Sequence, residues 1–290
     1  MVMGGPARAS HEGHRPFTLL YGLAGKGAFW LVIVALMLPA LFFFFWMISL
    51  SFKSQVENTA YPPVFVPSSL GLESYAEVFR KHPFPQYARN STIAGFGATG
   101  IALLVGVPAA YGIVKWRRYE MALLILLARL VPPMSFLIPW FAATRSLGLS
   151  NSYIALILGH MVAGLPLVVW IMIGFFEDLN PELEDASSVD GCGPYGSFFR
   201  IALPLTLPGL VVSAIMAFIT SWNDFMFSVV LSGPKTRTLP VAVYNMLSFE
   251  TVNWGPLAAA TIMVTLPAVL LTLFIQRYIV SGLTAGAIKG

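Results

Sequence analysis

From Ala28 onward the chain alternates long apolar runs with short polar ones. Runs of about twenty apolar residues, the length a helix needs to cross a bilayer, occupy 28–50, 91–114, 121–144, 153–176, 205–231 and 256–278. Six crossing helices are predicted, which places both ends of the chain on one side. Two longer polar segments lie on the opposite side. Residues 51–90 hold a Tyr61-Pro62-Pro63 break and a short amphipathic helix near Leu72 to Phe79. Residues 232–255 open on Gly233-Pro234 and carry an apolar stretch from Leu239 to Phe249. Connections of this length read as surfaces for an outer partner, and the second also suits a segment dipping into the membrane.

One polar stretch stands apart, residues 180–204, NPELEDASSVDGCGPYGSFFRIALP. Asn180 is placed to cap a helix opened by Pro181, and Gly191 to end it in the left-handed conformation. Gly193-Pro194 restarts a second helix, for which Pro204 sets the predicted limit. Leu183 and Ala186 share one face of the first helix, and Tyr195, Phe198 and Phe199 crowd together on the second. Helix, hinge and helix are too short and too charged to span lipid, so the stretch is either a plain amphipathic surface loop or a handle for another protein.

Composition narrows the class. A chain of 290 residues with 57% hydrophobic and 10% charged residues is an all-α polytopic membrane protein. The predicted organisation is a tail at 1–27, a six-span domain at 28–278 that includes 180–204, and a tail at 279–290. The net charge of +4 fits loops beside anionic headgroups and requires no nucleic acid. Nine Lys and Arg fall on the side of the termini, among them Lys26, Lys115, Arg117, Arg118 and Arg200, against seven on the other. That modest bias favours the cytosolic side for both termini. Cys192 has no partner for an internal disulfide and reads as a free thiol.

No metal-ligand spacing joins His11, His14, His82 and His160, so no metal is predicted. No nucleophile arrangement indicates catalysis. No phosphate loop of the G-x-x-x-x-G-K-[ST] type is present, so ATP, if used, is held by a partner. Charged groups within spans cost about 2.5–3.5 kcal/mol at a helix centre, which singles out Arg129, His160 and Asp224. Arg129 is read either as snorkelling or bonded to a carbonyl freed by Pro132-Pro133, or as lining a pathway. Trp222, Asn223 and Asp224 supply a ring face, an amide and a carboxylate, which suits a sugar's hydroxyls and ring as well as contacts between helices. His160 is read as buried, neutral and hydrogen-bonded. An ion-coupled secondary carrier relaying through Arg129, His160 and Asp224 is the competing class, and a subunit for assembly alone is a third.

Asp185-Ala186-Ser187, three residues, Gly191, nine residues, then Ile201, Leu203 and Pro204 resembles the EAA loop of ATP-binding-cassette importer permeases. Asp185 and Ser187 depart from its Glu and second Ala. Pro132-Pro133, Trp222-Asn223-Asp224 and Gln276-Arg277-Tyr278 to Gly286 strengthen the likeness to the carbohydrate branch, such as the maltose, trehalose and glycerol-phosphate importers. The resemblance implies a permease subunit, not an enzyme, in a bacterial inner membrane. It would pair with a second related permease as a heterodimer, sit on two copies of a cytosolic ATPase that bind ATP and Mg, and receive a small carbohydrate from an external solute-binding protein. Contact with the ATPase is implied at Glu184, Asp185, Ala186, Ser187, Asp190, Gly191, Ile201, Leu203 and Pro204, and the substrate pathway at Arg129, Trp222, Asn223 and Asp224.

Overall fold

The computed structural model describes residues 16–247 and 252–287, and it is helical with no strands among them. In chain order the helices are α1 (Pro16–Phe52), α2 (Gln55–Asn58), α3 (Glu73–Lys81), α4 (Phe84–Lys115), α5 (Tyr119–Leu130), α6 (Pro133–Ser146) and α7 (Tyr153–Glu177). They continue as α8 (Pro181–Val189), α9 (Pro194–Ser197), a π turn (Phe198–Ala202), α10 (Leu203–Leu205), α11 (Leu207–Trp222), α12 (Met226–Leu231), α13 (Leu239–Tyr244) and α14 (Trp254–Ala287).

Four unbroken segments are long and apolar enough to cross a membrane: Phe29–Phe52, Phe84–Lys115, Tyr153–Glu177 and Trp254–Gln276. Two bent helix pairs bring the number to six if each is counted as one span: α5 with α6, and the Pro194–Leu205 limb with α11. The predicted third span is α5 and α6, set at 89° to each other. Pro132 and Pro133 account for the break, because neither donates an N–H and Pro132 pushes Val131 into extended backbone. The predicted fifth span is also interrupted. α11 has only 16 residues, about 24 Å at 1.5 Å per residue, and a corner at Asn223–Phe225 separates it from α12. The second span starts at Phe84 instead of Ser91, with Pro85 in its first turn. α1 begins within the predicted N-terminal tail, and α14 runs through the predicted C-terminal tail as far as Ala287. Residues 1–15, which include His11 and His14, lie outside the described residues, as does the end of the predicted stretch Leu239–Phe249.

α4, α7 and α11 pack together as the centre of the bundle. Close approach of α4 to α7 rests on glycine: a Cβ at Gly97 would lie 2.5 Å from the Ile157 side chain, and one at Gly106 would lie 2.9 Å from that of Val168. α1 leans on α14 and α3 and leaves Phe42, Phe43, Phe44 and Phe45 exposed, as a lipid-facing helix does. Gly209 in α11 faces α7 so closely that an added Cβ would lie 2.4 Å from the Phe175 ring. Gly209→Val is therefore expected to cost about 1–3 kcal/mol by overpacking, read as a lowered unfolding temperature in detergent; an unchanged value would show that α11 and α7 separate easily.

The bundle has two ends. At one, Lys115 of α4 pairs with Glu184 of α8, so the helical hairpin at 180–205 belongs there. At the other, the Tyr153 hydroxyl donates to Asn90 Oδ1 at 2.7 Å. Asn90, fully buried, also donates to the main-chain carbonyls of Lys235 at 3.1 Å and Arg237 at 2.8 Å. Nearby, the Leu239 N–H donates to Ser91 Oγ at 2.9 Å. These bonds clasp the 232–238 loop onto α4.

Candidate functional site

The handle is built as its residues dictate. Asn180 accepts from the Glu182 N–H at 3.1 Å and caps α8. At the far end the Cys192 N–H reaches the Ser187 carbonyl and the Gly191 N–H reaches that of Ser188. This is the 6→1 and 5→2 closure of a Schellman motif, and it places Gly191 at φ +82°. The second limb does not stop at Pro204. Widening to a π turn, in which the Leu203 N–H bonds to the Phe198 carbonyl, carries the chain past the proline that lacks a donor. The limb ends at Thr206, whose hydroxyl donates to the Ala202 carbonyl at 2.8 Å. A 78° bend then opens α11.

The two faces of the handle differ. Phe198 points inward, its ring 4.9 Å from that of Tyr111, and Tyr111 in turn lies 5.5 Å from Phe176. Ser187 is buried and donates to Ser197 Oγ at 3.1 Å, joining the two limbs. The serine that replaces the pattern's second Ala thus serves the handle's own interior. Glu184 is turned inward too, onto Lys115. Ala186, Asp185 and Asp190 face out, as do Leu183, Val189 (88% exposed), Tyr195 (83%) and Phe199. Ile201 and Leu203 are half-buried and Pro204 is exposed.

The corner at 222–225 is the second constellation. Asn223 and Asp224 lie in the non-helical backbone between α11 and α12, within the predicted fifth span. Asp224 is held against His160, which lies seven residues, about 10 Å of helix, from the Tyr153 end of α7. Trp222 is buried and donates from Nε1 to the Val264 carbonyl at 2.9 Å. Asp224 Oδ1 accepts from the Ser228 N–H at 3.1 Å and lies 3.3 Å from His160 Nε2. His160 is 2% exposed and is held by Ser221 Oγ at 2.7 Å from Nδ1 and Ser228 Oγ at 2.9 Å from Nε2. Its reading as a buried, hydrogen-bonded residue agrees with the structure. Asn223 is exposed.

Beside the corner, α4, α11 and α14 line an open groove of about 600 Å³. Phe96, Phe218 and Trp222 form a continuous aromatic wall, with centroid separations of 4.9 Å and 5.6 Å. Arg129 is not part of this constellation. It sits exposed in the last turn of α5 and makes no ion pair or hydrogen bond among the described residues. The structure therefore joins two members of the predicted relay, His160 and Asp224, and leaves out the third. Ser221, Ser228, Phe96 and Phe218 were not singled out from the sequence. A serine seven residues from another across a W-N-D corner carries no signal until the histidine of a distant helix is placed between them.

Residues 102–285 match the family described as binding-protein-dependent transport system inner membrane component. The chain belongs to that family. It is 32% identical to the sulfoquinovosyl glycerol transport system permease protein of Agrobacterium fabrum, covering 92% of this chain and 95% of the relative. It is 34% identical to the trehalose transport system permease protein of Mycobacterium tuberculosis over 92% and 99% of the two chains, and 34% identical to the trehalose/maltose permease protein of Thermococcus litoralis over 90% and 96%. Among solved structures, a bacterial ABC transporter involved in import of the acidic polysaccharide alginate superposes with a TM-score of 0.72 at 19% identity, over 92% of this chain and 99% of that one. This permease is a translocation subunit of a binding-protein-dependent importer and not an enzyme, and the ion-coupled carrier reading is set aside.

Proposed function

We propose that the permease is one half of the translocation pathway of an ATP-driven importer for a small sugar, polyol or sugar derivative, worked by an ATPase that grips the 180–204 handle. The observation that carries this is the handle's outward face. Ala186, Val189 and Tyr195 stand uncovered at the hinge of a hairpin whose interior is already complete, an arrangement that suits insertion into a cleft of another protein. Asp185, Asp190 and Gly191 border that face, Ile201, Leu203 and Pro204 shape the second limb, and Glu184 and Ser187 brace it from within. In this reading two copies of the ATPase hold ATP and Mg, and this chain holds no cofactor. A second, related permease completes the pathway as a heterodimer, and an external solute-binding protein delivers the solute at the clasped end. The handle and both termini then face the cytosol of a bacterial inner membrane, with α1 toward lipid. Purification from the native membrane tests it: an ATPase and a second permease should accompany the chain, and its isolation as an active protein alone would overturn it.

Trehalose and maltose, for which two of the relatives are named, support a neutral sugar, and the aromatic wall with Trp222, Asn223 and Asp224 supplies the ring faces and polar groups it needs. Arg129 supports a second reading. An exposed guanidinium without an internal partner among the described residues offers a planar fork to a carboxylate, phosphate or sulfonate, and two proteins similar to this chain are named for sulfoquinovosyl glycerol and for the acidic polysaccharide alginate. If the solute is anionic, Arg129→Gln should cut its uptake about ten-fold, the value of one charge-assisted contact of ~1.4 kcal/mol, and spare a neutral analogue. Equal loss of both in uptake assays would leave Arg129 a structural residue.

A further inference from the structure

Both limbs of the handle continue into helices that meet again at the corner. α7 enters the handle at Glu177 and α11 leaves it after Thr206. Between His160 and Glu177, α7 is one continuous helix about 26 Å long with Pro166 in its interior, so a single helical element joins the handle to His160. Whether the corner follows depends on what ties it sideways.

Two polar ties are present, and they pull toward different helices. Trp222 Nε1 bonds to the Val264 carbonyl and fastens one side of the corner to α14. His160 fastens both sides to α7, through Ser221 at the end of α11 and through Ser228 and Asp224 of the α12 side. With an ionised Asp224 as acceptor, Nε2 carries the ring proton and shares it between Ser228 Oγ and Asp224 Oδ1. Nδ1 then accepts from the Ser221 hydroxyl. One neutral tautomer satisfies every contact of a ring that is 2% exposed.

We propose that His160 is a positioning residue that transmits displacement of the handle to the corner carrying Trp222, Asn223 and Asp224. The proposal rests on the reading of the handle as the ATPase grip. Apolar contacts alone do not replace this tie. Phe227 and Leu231 pack in one cluster with Leu156 of α7, which keeps α12 on α7 but leaves the Asp224 carboxylate unsecured. That packing also preserves the fold when the imidazole is removed.

The test needs no knowledge of the solute. In the complete complex, Asn223→Cys serves as a reporter, and its reaction with a maleimide is read at that peptide by mass spectrometry, nucleotide-free and after trapping with ATP and vanadate. The labelling rate should differ about ten-fold between the two states in the reporter background. Adding His160→Ala should shrink the difference to less than about two-fold while ATP hydrolysis persists. His160→Gln, which can still donate toward Ser228 and Asp224, should restore at least about half of it. An undiminished response in His160→Ala overturns the proposal. If that variant fails to assemble, Ser228→Ala, which removes one hydroxyl, must diminish the response, and its failure to do so overturns the proposal equally. A reporter complex that captures the ATPase yet shows no nucleotide response refutes this inference alone, whereas failure to capture the ATPase refutes the reading beneath it.

Discussion

Ala186→Trp is expected to stop uptake while leaving the permease folded and inserted. Ala186 is exposed and Ser187 beside it is buried, so a large ring at 186 meets no atom of its own handle and enters only the space a docked partner fills. Overpacking of a tight contact costs about 1–3 kcal/mol, or roughly 5- to 150-fold in affinity. Capture of the ATPase on immobilised permease and uptake in cells should fall together. Gly191→Val reaches the same end from the backbone, since φ +82° is a conformation that a β-branched residue adopts only under strain. Full ATPase capture by Ala186→Trp would mean that the handle is gripped on another face.

The second large effect is expected at Asp224. Truncation to alanine removes the acceptor from the Ser228 N–H and from His160 Nε2, and stranding buried donors costs about 1–3 kcal/mol. Uptake should drop at least about ten-fold with the complex recovered intact and ATP hydrolysis persisting. Asp224→Asn, which keeps one oxygen acceptor, should retain more uptake than the alanine variant. Loss of assembly in Asp224→Ala would place the residue among the contacts that hold α11, α12 and α7 together instead of the solute route.

The crossings were legible because each one is written locally. Runs of about twenty apolar residues gave α7 and the apolar segments of α1 and α14 to within two residues at each end, and α4 apart from its first seven residues. The handle was legible for the same reason, since Asn180, Pro181, Gly191 and Pro194 each set their own backbone. What the sequence hid was geometry shared between distant segments. Pro132-Pro133 announced a kink, but an 89° turn depends on what α6 packs against, which includes α12. Pro204 reads as a stop because a proline breaks a regular α-helix. A π turn upstream removes that conflict, and nothing in F-F-R-I-A predicts its pitch. His160, unremarkable alone, gained its significance from Ser221 and Ser228, more than sixty residues away.

The clasp at the opposite end has a consequence for handling this protein. Asn90 grips the main chain at Lys235 and Arg237, not their side chains. The path of that loop is consequently indifferent to which side chains it carries there. Residue 235, exposed to solvent, is a place where a dye, a spin label or an affinity tag can be installed without loosening the joint between the loop and α4.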